Sequence, residues 1–200
     1  MTLEQASREI GCPQNLLKHL IRNNIVPGGG AGRHERKRCA YLLPQTLAAC
    51  RRWYASIATR DQAKEQLHLA QRAYVALLSS GLLRPLTFGQ RPYFQRSDLE
   101  ELCRQFEGVS LSCPSDISHL QSLFGEWLPS YGQYRRTSPD ILHEALRGGF
   151  PIFRRLDYPG LSAYFVDWRA IDRLNRFKRD EDAKRAQQAG PVRQLSLPLE

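Results

Sequence analysis

The chain has 200 residues, of which 42% are hydrophobic, and it carries a formal net charge of +9. This length allows one large domain or two to three small ones, and no stretch reaches the roughly 20 apolar residues of a membrane span. The amphipathic, acid-containing start "MTLEQASREIG" does not resemble a signal peptide, so we expect a cytoplasmic protein with no membrane partner.

The positive charge is concentrated at the start of the chain. Residues 1–56 hold nine Lys and Arg against three Asp and Glu, whereas 57–114, 115–176 and 177–200 each have an excess of one cation. A basic protein of this kind is expected to bind a polyanion, with nucleic acid first. The alternative is a protein that is merely soluble and basic, but a localised excess of charge argues against it.

The sequence contains no recognisable catalytic, cofactor or metal motif. The number of cysteines is odd and no two of them form a C-x-x-C pair, so we expect small apolar packing residues rather than disulfides or zinc ligands. The five are Cys12, Cys39, Cys50, Cys103 and Cys113. Ser, His and Asp occur without the spacing of a nucleophile elbow, and the acids are scattered. We therefore expect a non-enzymatic protein without a cofactor.

The chain contains an internal repeat with an offset of 57 residues. "TLEQASREIGCPQNLLKHLIRNNIVP" aligns with "TRDQAKEQLHLAQRAYVALLSSGLLRP", with Thr2 on Thr59 and Leu20 on Leu77. Each copy predicts a Thr-capped helix, a short break, and a second helix that ends near Asn24 or Gly81. A hairpin near residues 38–43 or 91–95 and a closing helix complete the copies, which we assign to residues 1–56 and 57–108.

A third, degenerate copy is predicted at residues 115–177. Its first helix would be "DISHLQSLFGEWL", its second helix "SPDILHEALRGGF", and its hairpin and closing helix "YPGLSAYFVDWRAIDRLNRF". Residues 178–200 are rich in charged and small residues, so we expect a flexible tail.

The repeated pattern resembles the winged helix-turn-helix of the excisionase and MerR-type superfamily. The resemblance covers residues 2–54 and 59–106, and more loosely 117–177. It implies a mostly α fold with small β-hairpin wings, in two to three tandem modules. Tandem copies also resemble the C-terminal parts of TniQ-like transposition target selectors, although this chain lacks the Cys/His zinc knuckles of their N-terminal parts.

The resemblance implies that the second helix of a copy reads the major groove of duplex DNA and that the wing contacts its backbone. An ordinary solvated helix face is the alternative for these residues, and the nearly neutral second copy could instead brace its neighbours or bind a protein. The candidate DNA-binding residues are Gln14, Asn15, Lys18 and Arg22 on the first such helix, Arg33, Arg36, Lys37 and Arg38 in the first wing, Gln71, Arg72 and Arg91 in the second copy, and Arg135, Arg136, Arg154 and Arg155 in the third.

The terminal "QLSLPL" resembles the hexapeptide by which many bacterial proteins bind the replication sliding clamp. In that resemblance Gln194 hydrogen-bonds at the rim of the clamp pocket, Leu195 adds apolar contact, and Leu197 and Leu199 fill the pocket. The alternative is a tail that folds back as a short strand on the body of the protein.

Together these features predict a bacterial, nucleoid-associated DNA-binding protein tethered to the sliding clamp. It would serve a mobile element in transposition, integration targeting or replication control, with other transposition or replication proteins as further partners. The alternatives are a transcriptional regulator, and a protein-binding adaptor in a transposition or CRISPR-associated assembly. Without a long apolar heptad pattern, a monomer is the default expectation.

Overall fold

The chain folds as a mixture of helices and small sheets. The computed structural model describes residues 1–26, 42–88, 91–114, 120–124 and 139–167, the backbone of 32–33 and 40–41, and residues 169, 171–173, 176, 180 and 184–185. Its helices are α1 (Leu3–Ile10), α2 (Gln14–Arg22), α3 (Pro44–Ala55), α4 (Arg60–Leu67), α5 (Gln71–Ser79), α6 (Arg96–Val109) and α7 (Pro139–Leu146). Its strands are β1 (Gly32–Arg33), β2 (Ala40–Tyr41), β3 (Ile57–Thr59), β4 (Leu86–Phe88), β5 (Arg91–Gln95), β6 (Ser110–Ser112), β7 (Leu120–Ser122), β8 (Ile152–Arg154) and β9 (Tyr164–Asp167).

The order of elements in the first unit (residues 1–56) recurs in the second unit (residues 57–109). Both begin with a capping box, in which the Thr hydroxyl accepts from the backbone N–H three residues later and a Gln side chain returns the bond. Thr2 and Gln5 make the box before α1, and Thr59 and Gln62 make it before α4. Because this arrangement satisfies helix N–H groups that have no partner within the helix, it fixes where each helix starts.

The turns of the two units also match residue by residue. Gly11 and His68 end the first helices with φ of 70° and 51°, and Asn24 and Gly81 follow the second helices with φ of 51° and 73°. Each pair is 57 residues apart, and each lies in the left-handed region that lets a chain leave a helix abruptly. The repeat predicted from the sequence is therefore present in the backbone of the described residues.

The described strand pairs of the two units differ in length. In the first, β1 and β2 pair antiparallel over two residues each, with Gly32 opposite Tyr41. In the second, β4 and β5 pair antiparallel over three residues, and β3 pairs with β5 to give a sheet in the order β3-β5-β4. The chain start takes the place of β3 in the first unit, since the N–H of Leu42 donates to the carbonyl of Met1 at 2.8 Å.

Two hydrophobic cores lie on opposite faces of the β3-β5-β4 sheet. Ile57 and Tyr93 belong to the first core, and their chain neighbours Ala58 and Phe94 belong to the second, as expected for side chains that alternate between the faces of a strand. The first core contains Ala6, Cys12, Leu16, Leu17, Leu20, Val26, Leu42, Ala49, Cys50, Ile57 and Tyr93. A strand and a hairpin of the second unit thus help to complete the core of the first unit.

The second core continues into residues 110–171. Leu99, Leu102 and Phe106 of α6 share it with Leu142 of α7 and Val166 of β9. The strand β6, between the predicted second and third modules, pairs in parallel with β8. The limits predicted at 108 and 115 therefore fall inside one continuously packed body rather than between two separate cores.

The predicted first helix of the third module is wrong in its described part. Residues 120–122 form the strand β7, which pairs antiparallel with β9 in a sheet of order β6-β8-β9-β7. Leu120, Leu123 and Phe124 are buried, and so short an apolar run fits either a strand or a helix. Pairing with β9 decides in favour of the strand.

The remaining described parts of residues 115–177 contain a helix, two strands and a few further helical positions. Helix α7 is followed by a left-handed Gly148, and then by the antiparallel pair of β8 and β9. Positions 169 and 171–173 are helical, at the place of the predicted closing helix. In the part of the chain that is described, no helix combines the length and apolar character that crossing a membrane requires.

Candidate nucleic-acid interface

Helix α2 buries one face and presents the other to solvent. Leu16, Leu17 and Leu20 are almost wholly buried in the first core. The four residues of α2 that were predicted to contact DNA lie off this face: Asn15 and Arg22 are exposed, and Gln14 and Lys18 are half-buried. The helical period, which puts residues three and four apart on one side, produces this division.

The cations of α2 are not neutralised by the acids of the first unit that the structure describes. Glu4 forms an ion pair with Arg8 within α1, and Glu9 forms an ion pair with Arg51 of α3. Among the described residues, Lys18 and Arg22 have neither an ion pair nor a side-chain hydrogen bond. The outward face of α2 therefore carries unbalanced positive charge beside two side-chain amides.

The basic hairpin of the first unit is described only at its two strands. Gly32 and Arg33 pair with Tyr41 and Ala40, which establishes a backbone hairpin. The predicted contacts Arg36, Lys37 and Arg38 fall between these strands in sequence, outside the described residues.

The corresponding face of α5 is different. Lys18 of α2 corresponds to Val75, which is 47% exposed, and Arg22 corresponds to Ser79. Gln71 accepts a hydrogen bond from Arg60 at 2.7 Å, so its amide is engaged within the protein. Arg72 is exposed and is left as the one charged residue among the predicted contacts of α5.

Arg91, the third predicted contact of the second unit, lies apart from α5. It opens β5 opposite Phe88 of β4, and its side chain is exposed. Paired residues of antiparallel strands point to the same face, and Phe88 packs on the first core. The backbone therefore directs Arg91 towards the first unit.

The two predicted contacts of the third module that the structure describes, Arg154 and Arg155, are engaged in the protein itself. Arg154 forms an ion pair with Glu107 at the end of α6. Arg155 forms an ion pair with Asp157 and lies 4.7 Å from the centre of the Tyr158 ring. The hydrogen bond from Arg155 is the main reason that the pKa of Asp157 lies below its ordinary value.

Other predicted contacts fall outside the described residues. These are Arg135 and Arg136 of the third module and the clamp-binding Gln194, Leu195, Leu197 and Leu199. Their roles stay predictions from the sequence.

The described cysteines are free thiols, two of them buried in the first core. Burial, with a smaller effect of the neighbouring Cys50, raises the pKa of Cys12 to about 12. Burial also raises the pKa of Cys50. A thiol held in its neutral form is a poor nucleophile and a poor metal ligand, so both act here as packing groups.

A surface groove beside β6 encloses about 690 Å³. Its described lining holds one thiol and no histidine, and the two arginines there are paired with the two carboxylates. No group of three His, Cys, Asp or Glu side chains in the described ranges is arranged to hold a metal ion. The groove is lined by Glu107, Ser110, Leu111, Ser112, Cys113, Pro114, Arg154, Arg155, Leu156 and Asp157.

Phe88, which is not among the contacts predicted from the sequence, packs directly against the candidate interface. Its ring meets His19 of α2 edge to face, with ring centres 5.1 Å apart, and meets Trp53 of α3 at 5.2 Å. The alternation of "LTF" in β4 puts Leu86 and Phe88 on one face, but the sequence does not say which neighbour that face meets.

No protein-family model, curated protein or solved structure matches this chain.

Proposed function

We propose that this protein binds double-stranded DNA through α2 and the hairpin of the first unit, as a winged helix-turn-helix module. The observation that carries the proposal is the outward face of α2, where Lys18 and Arg22 have no acidic partner among the described residues. Helix α2 follows α1 after a short left-handed turn, as the recognition helix follows the first helix in such a motif. The proposed function is not enzymatic.

Each part of the interface would have its own task. The amides of Gln14 and Asn15 suit adenine edges, and Lys18 and Arg22 suit guanine edges or phosphates. Arg33, Arg36, Lys37 and Arg38 would contact the backbone and supply affinity that does not depend on sequence.

The DNA-binding proposal is tested by replacing Arg36, Lys37 and Arg38 with Ala in the full chain. Each lost phosphate contact should reduce the slope of log K against log salt by about 0.9, so the triple variant should lose about 2.7 if all three contact phosphate. Anisotropy of a labelled duplex at several salt concentrations measures this slope. Binding by the wild type that is absent or independent of salt would reject the proposal.

We further propose that Gln194–Leu199 tethers the protein to the bacterial sliding clamp. The support is the six-residue resemblance together with a DNA-binding body. Such a short extended ligand should bind at about micromolar strength, or ~8 kcal/mol.

A synthetic peptide of residues 190–200 tests the tether against purified clamp by calorimetry. Replacing Gln194 and Leu197 with Ala removes two anchors of a small interface and should nearly abolish binding, while the full-length variant keeps its affinity for DNA. A wild-type peptide that shows no binding at hundred-micromolar clamp would exclude the tether and favour a transcriptional regulator.

With both activities the protein would serve a mobile element at replicating DNA, in transposition, integration targeting or replication control. One observation favours the adaptor as a second candidate: the exposed Val75 occupies in α5 the place of Lys18 in α2. An apolar side chain there suits a protein surface better than a phosphate. Replacing Val75 with Asp should then remove a protein partner and leave DNA binding unchanged.

A further inference from the structure

The hairpin of the second unit is fixed on the helix proposed to read DNA. Phe88 lies near its tip and packs against His19 of α2 and Trp53 of α3, with ring centres 5.1 and 5.2 Å away. Its third ring contact is Tyr93, at 6.0 Å on the neighbouring strand. A winged module would normally present such a hairpin to DNA beside its own second helix; here it lies against the second helix of the preceding unit.

The strand register determines which way the charge on this hairpin points. Phe88 pairs with Arg91, and Leu86 pairs with Tyr93. Leu86, Phe88 and Tyr93 all contact the first core. Since Arg91 is two residues from Tyr93 on the same strand, its side chain leaves the sheet on that same face.

The surroundings of Tyr93 agree with this placement of Arg91. Burial raises the pKa of the Tyr93 hydroxyl, the nearby Cys12 thiol adds to the rise, and the positive charge of Arg91 opposes it. Arg91 itself is exposed, and it has no ion pair or side-chain hydrogen bond within the described ranges. It therefore adds a cation to the surface around α2.

We infer that the β4–β5 hairpin of the second unit is part of the DNA interface of the first unit. In this arrangement Arg91 contacts a phosphate beside the groove that α2 enters, and Phe88 is a positioning residue that holds α2 through His19. The inference rests on the proposed DNA binding. Through this hairpin the nearly neutral second unit would take part in the DNA interface, although its own helix α5 does not supply a basic face.

The test of Arg91 compares Arg91→Ala with the matched control Arg104→Ala in the full chain. Both side chains are exposed cations of the second unit, but Arg104 lies on α6, which packs against α7, and forms an ion pair with Glu101 of the same helix. Arg91→Ala should lower the salt slope of duplex binding by about 0.9 and weaken binding about fivefold to tenfold near 0.1 M salt. Arg104→Ala should match the wild type.

The test of Phe88 compares Phe88→Leu with the matched control Phe150→Leu, which lies in the second core. Phe88→Leu should weaken duplex binding at every salt concentration without changing the slope, because it moves α2 and removes no charge. Phe150→Leu should leave binding unchanged at temperatures where melting curves show both variants folded. If Phe150→Leu weakens duplex binding as much as Phe88→Leu does, the effect of Phe88→Leu comes from lost stability, and the positioning role of Phe88 is wrong.

The outcomes separate this inference from the proposed function. If the wild type binds duplex DNA with a salt-dependent affinity and Arg91→Ala behaves as Arg104→Ala does, the composite interface is wrong and the DNA-binding proposal stands. If the wild type shows no salt-dependent binding, both are wrong.

Discussion

The first and second units share one internal frame of helix caps, turns and buried positions, but their exposed helix faces differ. Positions that fix the backbone agree at an offset of 57: the capping Thr2 and Thr59, and the left-handed Asn24 and Gly81. Buried positions agree as well, since Leu20 and Leu77 are both 0% exposed. The frame depends on caps, turns and packing, which leave little freedom for substitution.

The exposed helix faces of the two units differ at residues that the frame does not constrain. The outward positions of α2 carry Lys18 and Arg22, whereas those of α5 carry Val75 and Ser79. Exposed helix positions tolerate such exchanges at a cost within about 0.5 kcal/mol, so the surface can change its partner while the fold is kept. Function is therefore best sought where the two copies diverge.

The two units also differ in independence. The second unit supplies Ile57 and Tyr93 to the first core, and its hairpin packs on α2 and α3. None of the described residues of the first unit belongs to the second core. The basic unit is thus completed by the neutral one, so under the proposed function a unit with little charge of its own would still contribute to DNA binding.

Among changes that compare the two units, exchanging the outward faces should produce the largest effect. Lys18→Val with Arg22→Ser gives α2 the face of α5 and removes two cations, so the salt slope of duplex binding should fall by about 1.8 if both contact phosphate. Stability should change little, because both side chains lie outside the first core. Anisotropy across a salt series, with urea unfolding beside it, checks both expectations.

The reciprocal variant, Val75→Lys with Ser79→Arg, is the control for charge alone. It restores two cations on the protein but not on α2. The two exchanges are then combined in one variant. If that variant recovers the salt slope of the wild type, net charge determines the affinity for DNA and the position of the cations on α2 does not. The different exposed faces of α2 and α5 would then not explain DNA binding.

The amides of the two units should differ in what they control. Asn15→Ala should relax sequence preference by about 1–3 kcal/mol if the amide pairs bidentately with a base. Gln71→Ala should leave DNA binding unaltered, since its amide accepts from Arg60 within the protein. Selection of duplexes from a random pool with each variant measures the preference, and equal relaxation by both variants would contradict the assignment of α2.

The frame could be predicted from the sequence because its determinants are local. The Thr-to-Gln capping boxes, the breaks between paired helices and the left-handed ends act within a few residues of each other. Closing helix α3 begins at Pro44, where the fixed φ of proline suits a first helical turn. The pattern of charge on α2 was also readable, because helical spacing separates Lys18 from the buried leucines.

What could not be predicted depends on contacts between distant segments. The strands β3 and β7 span three residues each, too few for a period, and exist because β5 and β9 pair with them. The packing of Phe88 on His19 joins residues far apart in sequence, and no local rule chooses that partner. The limits at 56 and 108 were drawn from the repeat, whereas the cores run across both.

The smallest expected effect concerns the two capping threonines. Removing a capping hydroxyl costs about 1 kcal/mol on average, within a range of roughly 0.5–2. Thr59 should lie in the upper part of that range, because it also pairs with Tyr93 in the sheet between the two cores. Thr2 lies outside this sheet, so Thr2→Ala should lie near the lower end. Urea unfolding of Thr2→Ala and Thr59→Ala gives the two costs, and the Thr→Ser variants, which keep the hydroxyl, should stay close to the wild type. A larger loss for Thr2→Ala than for Thr59→Ala would mean that the first unit, and not the sheet beside it, limits the stability of the whole protein.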